Sequence, residues 1–199
     1  MIYADSISLV PAEVGADCRE YIHRIDAADL IVAVNADWLV FAKENAVSPA
    51  AFDVVGTSLW TYISGVEVEY LYRLLLRTVR RTQRRIHFPF RCDTPTLQRS
   101  MQMVVVRHTG DEVEFRSHVL HQRPTTRVPL LEPASVVSST LLRMCSWCRR
   151  VQLVPDQGSE EWVEPQVAIA RLDLFAHERS PQITHSVCPT CEQRMLSIC

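Results

Sequence analysis

The sequence predicts an α+β protein, on three observations. Short β-branched or alternating apolar runs stand on both sides of a strongly amphipathic helix at Glu67–Arg84, three such runs follow that helix in succession, and the last third carries two CxxC pairs. The pairs are Cys145-Ser-Trp-Cys148 and Cys188-Pro-Thr-Cys191, with 39 residues between them. At 199 residues the chain has room for one or two domains, and 47% apolar with 22% charged residues is an ordinary globular composition. A net charge of −2 gives no overall drive toward nucleic acid or a membrane surface. No apolar run reaches the roughly 18 to 20 residues of a membrane span. Met1-Ile2-Tyr3-Ala4-Asp5-Ser6 has no basic stretch ahead of an apolar core, so no secretory signal is expected and the cytoplasm is the expected compartment. Seven cysteines, an odd number that includes two metal-ligand pairs, suit a metal site in a reducing compartment better than a disulfide framework.

Residues 1–15 form a leader. From Ala16 to Asp29, Ile22 and Ile25 among charged residues predict a helix. The β-branched run Asp29–Val34 predicts a strand, Asn35-Ala36-Asp37 a turn, and Trp38–Ala42 a second strand, because Asn and Asp tolerate turn backbone and the flanks have strand propensity. Ser48 and Pro49 have the N-cap and first-turn character of a helix start. Gly56 then interrupts the chain before short helical turns at Thr57–Ile63.

In the helix Glu67–Arg84, Val68, Leu71, Tyr72, Leu75 and Val79 mark the packing side, and Arg73, Arg77, Arg80, Arg81 and Arg84 form a cationic stripe opposite. Glu67 and Glu69 suit the positive end of that helix. Seven arginines and no acidic residue occur between Tyr70 and Arg91. The stripe is either a solvated face paired with carboxylates of the same chain or a surface for an acidic protein or nucleic acid; no aromatic residues are interleaved to stack on bases. Ile86, Phe88, Phe90 and Cys92 alternate as a half-buried strand, with Pro89 marking it as an edge strand. Asp93–Thr96 turns the chain into a strand from Gln98 to Arg107, and His108–Asp111 is a hairpin turn into Val113–Leu120. Residues 121–139, with Pro124, Pro129 and Pro133 among Ser and Thr, read as a linker in which Leu130 and Leu131 dock on the preceding domain.

Over residues 16–120 this order resembles the PAS domain family. The resemblance rests on Asn35-Ala36-Asp37, on Val54-Val55-Gly56-Thr57-Ser58-Leu59-Trp60, and on Gly110-Asp111 before the last strand. It implies a five-stranded antiparallel sheet with helices on one face, a pocket for a small ligand, and a role in sensing or dimerisation, including a homodimer, more than in catalysis. Residues 46–66 lack the cysteine of the flavin-binding light sensors, and no His lies between Glu67 and Arg85 to serve as a haem ligand, so neither haem nor flavin is expected. His87 reads as a packed or surface residue. Phe88, Phe90 and Cys92 are expected to line the wall between sheet and helix, with Arg91 on the opposite face. Cys92 reads as an inert buried thiol, with redox sensing the alternative.

Residues 140–199 form the second unit, a small module that a metal would hold together. Each CxxC turn can aim two thiolates at one point, and Cys145, Cys148, Cys188 and Cys191 together supply the tetrahedral set that Zn²⁺ prefers. His185 is an alternative ligand or a hydrogen-bond partner to a sulfur. A third option is a metal-free dithiol switch. Trp162–Glu164 predicts a strand, Gln166–Phe175 a short helix or extended stretch, and Ser180-Pro181-Gln182 a turn; Cys18 and Cys199 read as unpaired. The segment from Met144 to Val151, Trp162, and Thr184 to Cys191 resembles a tail appended to bacterial PAS and response-regulator proteins, which implies a signalling context. With five glycines there is no P-loop or GxGxxG, and no catalytic triad can be nominated. The expectation is a cytoplasmic, non-enzymatic bacterial sensory or regulatory protein with structural zinc, acting on a small ligand or a protein partner and not on a membrane. The alternatives are a nucleic-acid-binding zinc regulator that uses the arginine stripe, and a CxxC redox sensor.

Overall fold

The computed structural model describes residues 19–45, 54–132, 137–154, 160–175 and 180–199. The leader, Cys18 and the helix start at Ser48 and Pro49 lie outside them. The chain runs β1 (Glu20–Ile25), β2 (Ile31–Val34), α1 (Ala36–Glu44), α2 (Val66–Thr82), β3 (Ile86–Arg91), β4 (Leu97–Arg107), β5 (Val113–Pro124), β6 (Val137–Cys145), β7 (Val151–Leu153), β8 (Glu161–Val163), α3 (Pro165–Leu172), β9 (Ser180–Ser186) and α4 (Pro189–Ile198). Short 3-10 turns occur at Leu59–Thr61 and Pro129–Leu131.

The first five strands form an antiparallel sheet in the order β2-β1-β5-β4-β3. Its first strand is a correction: residues 20–25 are extended, not helical. Ile22 and Ile25 do have helical spacing, but Tyr21, His23 and Ile25 alternate onto one face, and β1 pairs along its whole length with β5. Trp38–Ala42 is the second correction, since these residues belong to α1 and not to a strand. Asn35 is not a turn between strands but the helix N-cap: its Oδ1 accepts from the Trp38 N–H at 2.9 Å and the Ile22 N–H at 3.1 Å, and its Nδ2 donates to Glu20 O at 2.7 Å. Once the run is helical, Trp38, Phe41 and Ala42 share a face and pack toward the sheet.

Helix α2 follows its predicted course, with Val68, Leu71, Leu75, Leu76 and Val79 buried. They meet Val105, Val113 and Phe115 of the sheet in the main core. Pro89 lies on an edge strand, as β3 ends the sheet.

The second sheet, β8-β7-β6-β9, is antiparallel except for the β6–β9 pair, which is parallel. The expected linker is therefore partly strand: β5 runs on to Pro124 and β6 begins at Val137. Leu130 does not dock on the first domain; it is buried with Leu142, Met144, Val151 and Ala168 in the core of the second unit. Ser180-Pro181-Gln182 is the start of β9 and not a turn. The main core crosses from one unit to the other: Cys145, Trp147, Val187, Cys188, Cys191 and Met195 share it with α2 and β3. Among the described residues, no helix is long and apolar enough to cross a membrane.

Candidate metal centre and its surroundings

Strand β6 delivers Cys145 at its end, and the chain reverses into β7 through a turn closed by Cys145 N–H to Arg150 O (2.8 Å) and Arg149 N–H to Cys145 O (2.9 Å). Arg149 has φ +63° there, a left-handed conformation usually left to glycine. The second pair sits at the head of α4, where Cys188 is the N-cap residue, Pro189 takes the first helical position and Cys191 lies in the first turn. Because β9 runs parallel to β6, with Cys145 opposite Ser186, both CxxC segments emerge at the same end of the sheet.

The four ligand sulfurs all lie within 4.8 Å of one another, and Cys148 Sγ is 3.7 Å from Cys188 Sγ. Four thiolates around Zn²⁺ at ~2.3 Å would be spaced about 3.8 Å apart, so the group fits a tetrahedral metal. Their acidities point the same way. Cys145 is pulled down by hydrogen bonds from the Cys148 and Cys191 thiols, with backbone N–H groups of Cys148 and Cys188 adding to the effect. Cys148 and Cys191 are pushed up, first by the same bonds with Cys145. Four sulfurs this close cannot all carry charge unless a cation neutralises them.

His185 is outside the sulfur group. It is half-buried beside Ser146 and Arg149 on a shallow cavity of about 190 Å³, and burial lowers its pKa.

Trp147, between the two cysteines of the first pair, is buried and leaves its own module. Its ring lies 5.7 Å from Tyr72 of α2 and 6.4 Å from Phe88 of β3, and its carbonyl accepts the Arg91 N–H at 2.7 Å. Arg91 itself bridges the units, donating to Asp93 and, at 2.5 Å, to Glu164. Neither role was read from the sequence. An aromatic residue inside a CxxC was the available signal, because a loop residue of that size has to be buried against something.

An apolar cavity of about 240 Å³ lies between α1, α2 and the sheet, with Trp38, Leu59, Tyr72, Met103, Phe115 and His23 among its walls. Phe88, Phe90 and Cys92 are not among those walls. Phe88 packs on Trp147, Phe90 and Cys92 pack beside Tyr21, Met101 and Val119, and burial pushes the Cys92 thiol up. The arginine stripe is divided. Arg73 pairs with Glu69 at 2.6 Å and lies 3.9 Å over the Trp60 ring, and Arg80 pairs with Asp29 at 2.8 Å. Arg77, Arg81 and Arg84 are exposed and make no ion pair among the described residues.

Neither a known protein-family model nor a curated protein matches this sequence.

Proposed function

We propose that the chain is a non-catalytic sensory or regulatory protein of bacterial signalling, in which a PAS-like domain takes up a small ligand or a protein partner and a structural Cys₄ zinc module carries the change outward. One observation supports the coupling above all: Tyr72 both lines the apolar cavity and packs on Trp147 of the first CxxC loop. A change in the cavity that moves Tyr72 also moves the loop holding Cys145 and Cys148. The five-stranded antiparallel sheet with α1 and α2 on its packed face supports the PAS-like reading. Zinc held by four cysteines has no open coordination position, which favours a structural role over hydrolysis.

The test is metal content and an absorption spectrum on one tag-free sample, with Cys188→Ser as control. About one zinc per chain, lost in the variant, with no visible absorbance, is the expected result. Absent zinc, or a strong haem or flavin band, overturns the reading in favour of a dithiol switch or a coloured cofactor.

A further inference from the structure

Among the described residues, Arg99 is a buried cation without a counter-ion. Its side chain is on the packed face of β4, and the residue is only 6% exposed. Its Nη2 donates to the neutral amide of Asn45, its guanidinium lies 5.0 Å from the centre of the Phe41 ring, and its Nε is sealed with no acceptor. Nη1 makes no hydrogen bond to a described residue. The nearby carboxylates are engaged elsewhere: Asp93 holds Arg91 and the backbone N–H of Arg99, and Glu44 holds Arg19. Desolvating a charge is costly unless another charge or a full set of hydrogen bonds compensates, and an amide with one aromatic ring is a partial substitute.

Arg99 lines an open cavity of about 450 Å³ at the end of the sheet beneath the C-terminal end of α1. Tyr21, Phe41 and Val119 give this cavity an apolar floor, and Thr94, Thr96 and Gln122 a polar wall. It shares neither the sulfur cluster nor the walls of the cavity beside Tyr72.

We propose that this cavity binds a small organic carboxylate, with the carboxylate on Arg99 and the carbon body over Tyr21, Phe41 and Val119. One buried guanidinium balances one negative charge. Arg19 and Glu44 at the same cavity pair with each other and leave Arg99 as the unbalanced charge, so a single carboxylate matches it better than multiply charged phosphate, and the apolar floor gives a carbon skeleton something to cover. The inference deepens the ligand-binding side of the proposed function by naming a ligand class, and it does not depend on the metal.

Calorimetric titration of the full chain with benzoate and hexanoate, against benzamide, hexanamide and inorganic phosphate, tests it. Saturable binding of an acid and not of its amide is expected, weakened at least tenfold in Arg99→Met. Gln122→Glu is the second variant, because residue 122 pairs directly with Arg99 across β4 and β5. The new carboxylate supplies the missing counter-ion, so this variant should unfold at a higher temperature and also lose at least tenfold in affinity. Zinc content, measured alongside, stays at the wild-type value in both variants, which separates a failure here from a failure of the metal centre. Equal binding of acid and amide, full affinity in Arg99→Met, binding of phosphate alone, or no saturable binding up to about 10 mM each overturns the assignment. If Arg99→Met does not fold, a Gln122→Glu protein with unchanged stability and affinity overturns it as well.

Discussion

His23 stands on β1 with its ring stacked on Phe115, 4.6 Å between centres and 6° from parallel, and it faces the apolar cavity shared with Tyr72. Burial lowers its pKa from 6.5 to about 4 and raises that of Tyr72 to about 12, so both groups are held neutral. Between about pH 6.5 and 4 the unfolded chain binds a proton at His23 that the folded chain does not, so stability present above pH 6.5 is lost as pH falls through that window. The loss is on the order of 2–3 kcal/mol for a shift of this size. Urea midpoints of wild type and His23→Phe, measured at matched pH, isolate it from acid effects at the cysteine group, which are common to both proteins. The expected difference grows in favour of the variant as pH falls; parallel curves would refute a His23 held neutral in the fold.

At the scale of elements, the entry to α2 fixes how the two units meet. Gly65 has φ +98°, and a Cβ placed on it would come 2.4 Å from the His185 carbonyl oxygen of β9. Gly110 also has positive φ, at +59°, but open space around it. Gly110→Ala therefore pays only the backbone strain, about 1–2 kcal/mol, whereas Gly65→Ala must also push the two units apart. Chemical denaturation should rank Gly65→Ala as clearly the more damaging; equal losses would remove the close approach from the account. Elements with a strong period were legible: α2 from its buried stripe, and β3, β4 and β5 from alternation and turn residues. Residues 20–25 and 36–44 were not, for a shared reason. Each is a short apolar run whose local pattern allows both helix and strand, and the choice was made by pairing with β5 in one case and by the Asn35 cap in the other. Of the candidate site, the four cysteines were legible from spacing alone, because both halves of the pattern are local. Arg99, Asn45 and the Tyr72 partner of Trp147 depend on residues brought together from far apart in the chain; the aromatic residue inside the CxxC marks that Trp147 is buried, but no local signal names what receives it.

At the scale of the whole molecule, a metal held by the four cysteines would make its binding and folding one event, because the core is shared. Structural zinc contributes about 10 to 16 kcal/mol in peptide-sized sites, comparable to the 5–15 kcal/mol that holds a typical domain together. Since the cysteine-bearing loops contribute Trp147, Val187 and Met195 to the same core as α2, a strong chelator should lower the thermal midpoint of the entire chain. Hydrogen exchange at Leu71, Leu75 and Val79 would follow it. Unchanged protection in α2 after chelation would instead mean that the units fold independently. The position of Trp147 has a further consequence, for solubility. Its carbonyl occupies the outward Arg91 N–H of β3, and by strand alternation Pro89 stands in the preceding outward slot with no N–H to offer. At the other side of the sheet, β2 is short and its Ile31 is bonded to Gly56 and Thr57. Each border of the sheet is thus partly blocked to a neighbouring strand, one of them by the loop that carries Cys145 and Cys148. A chain stripped of metal would expose an adhesive border, and its characteristic failure would be self-association into β-rich aggregates.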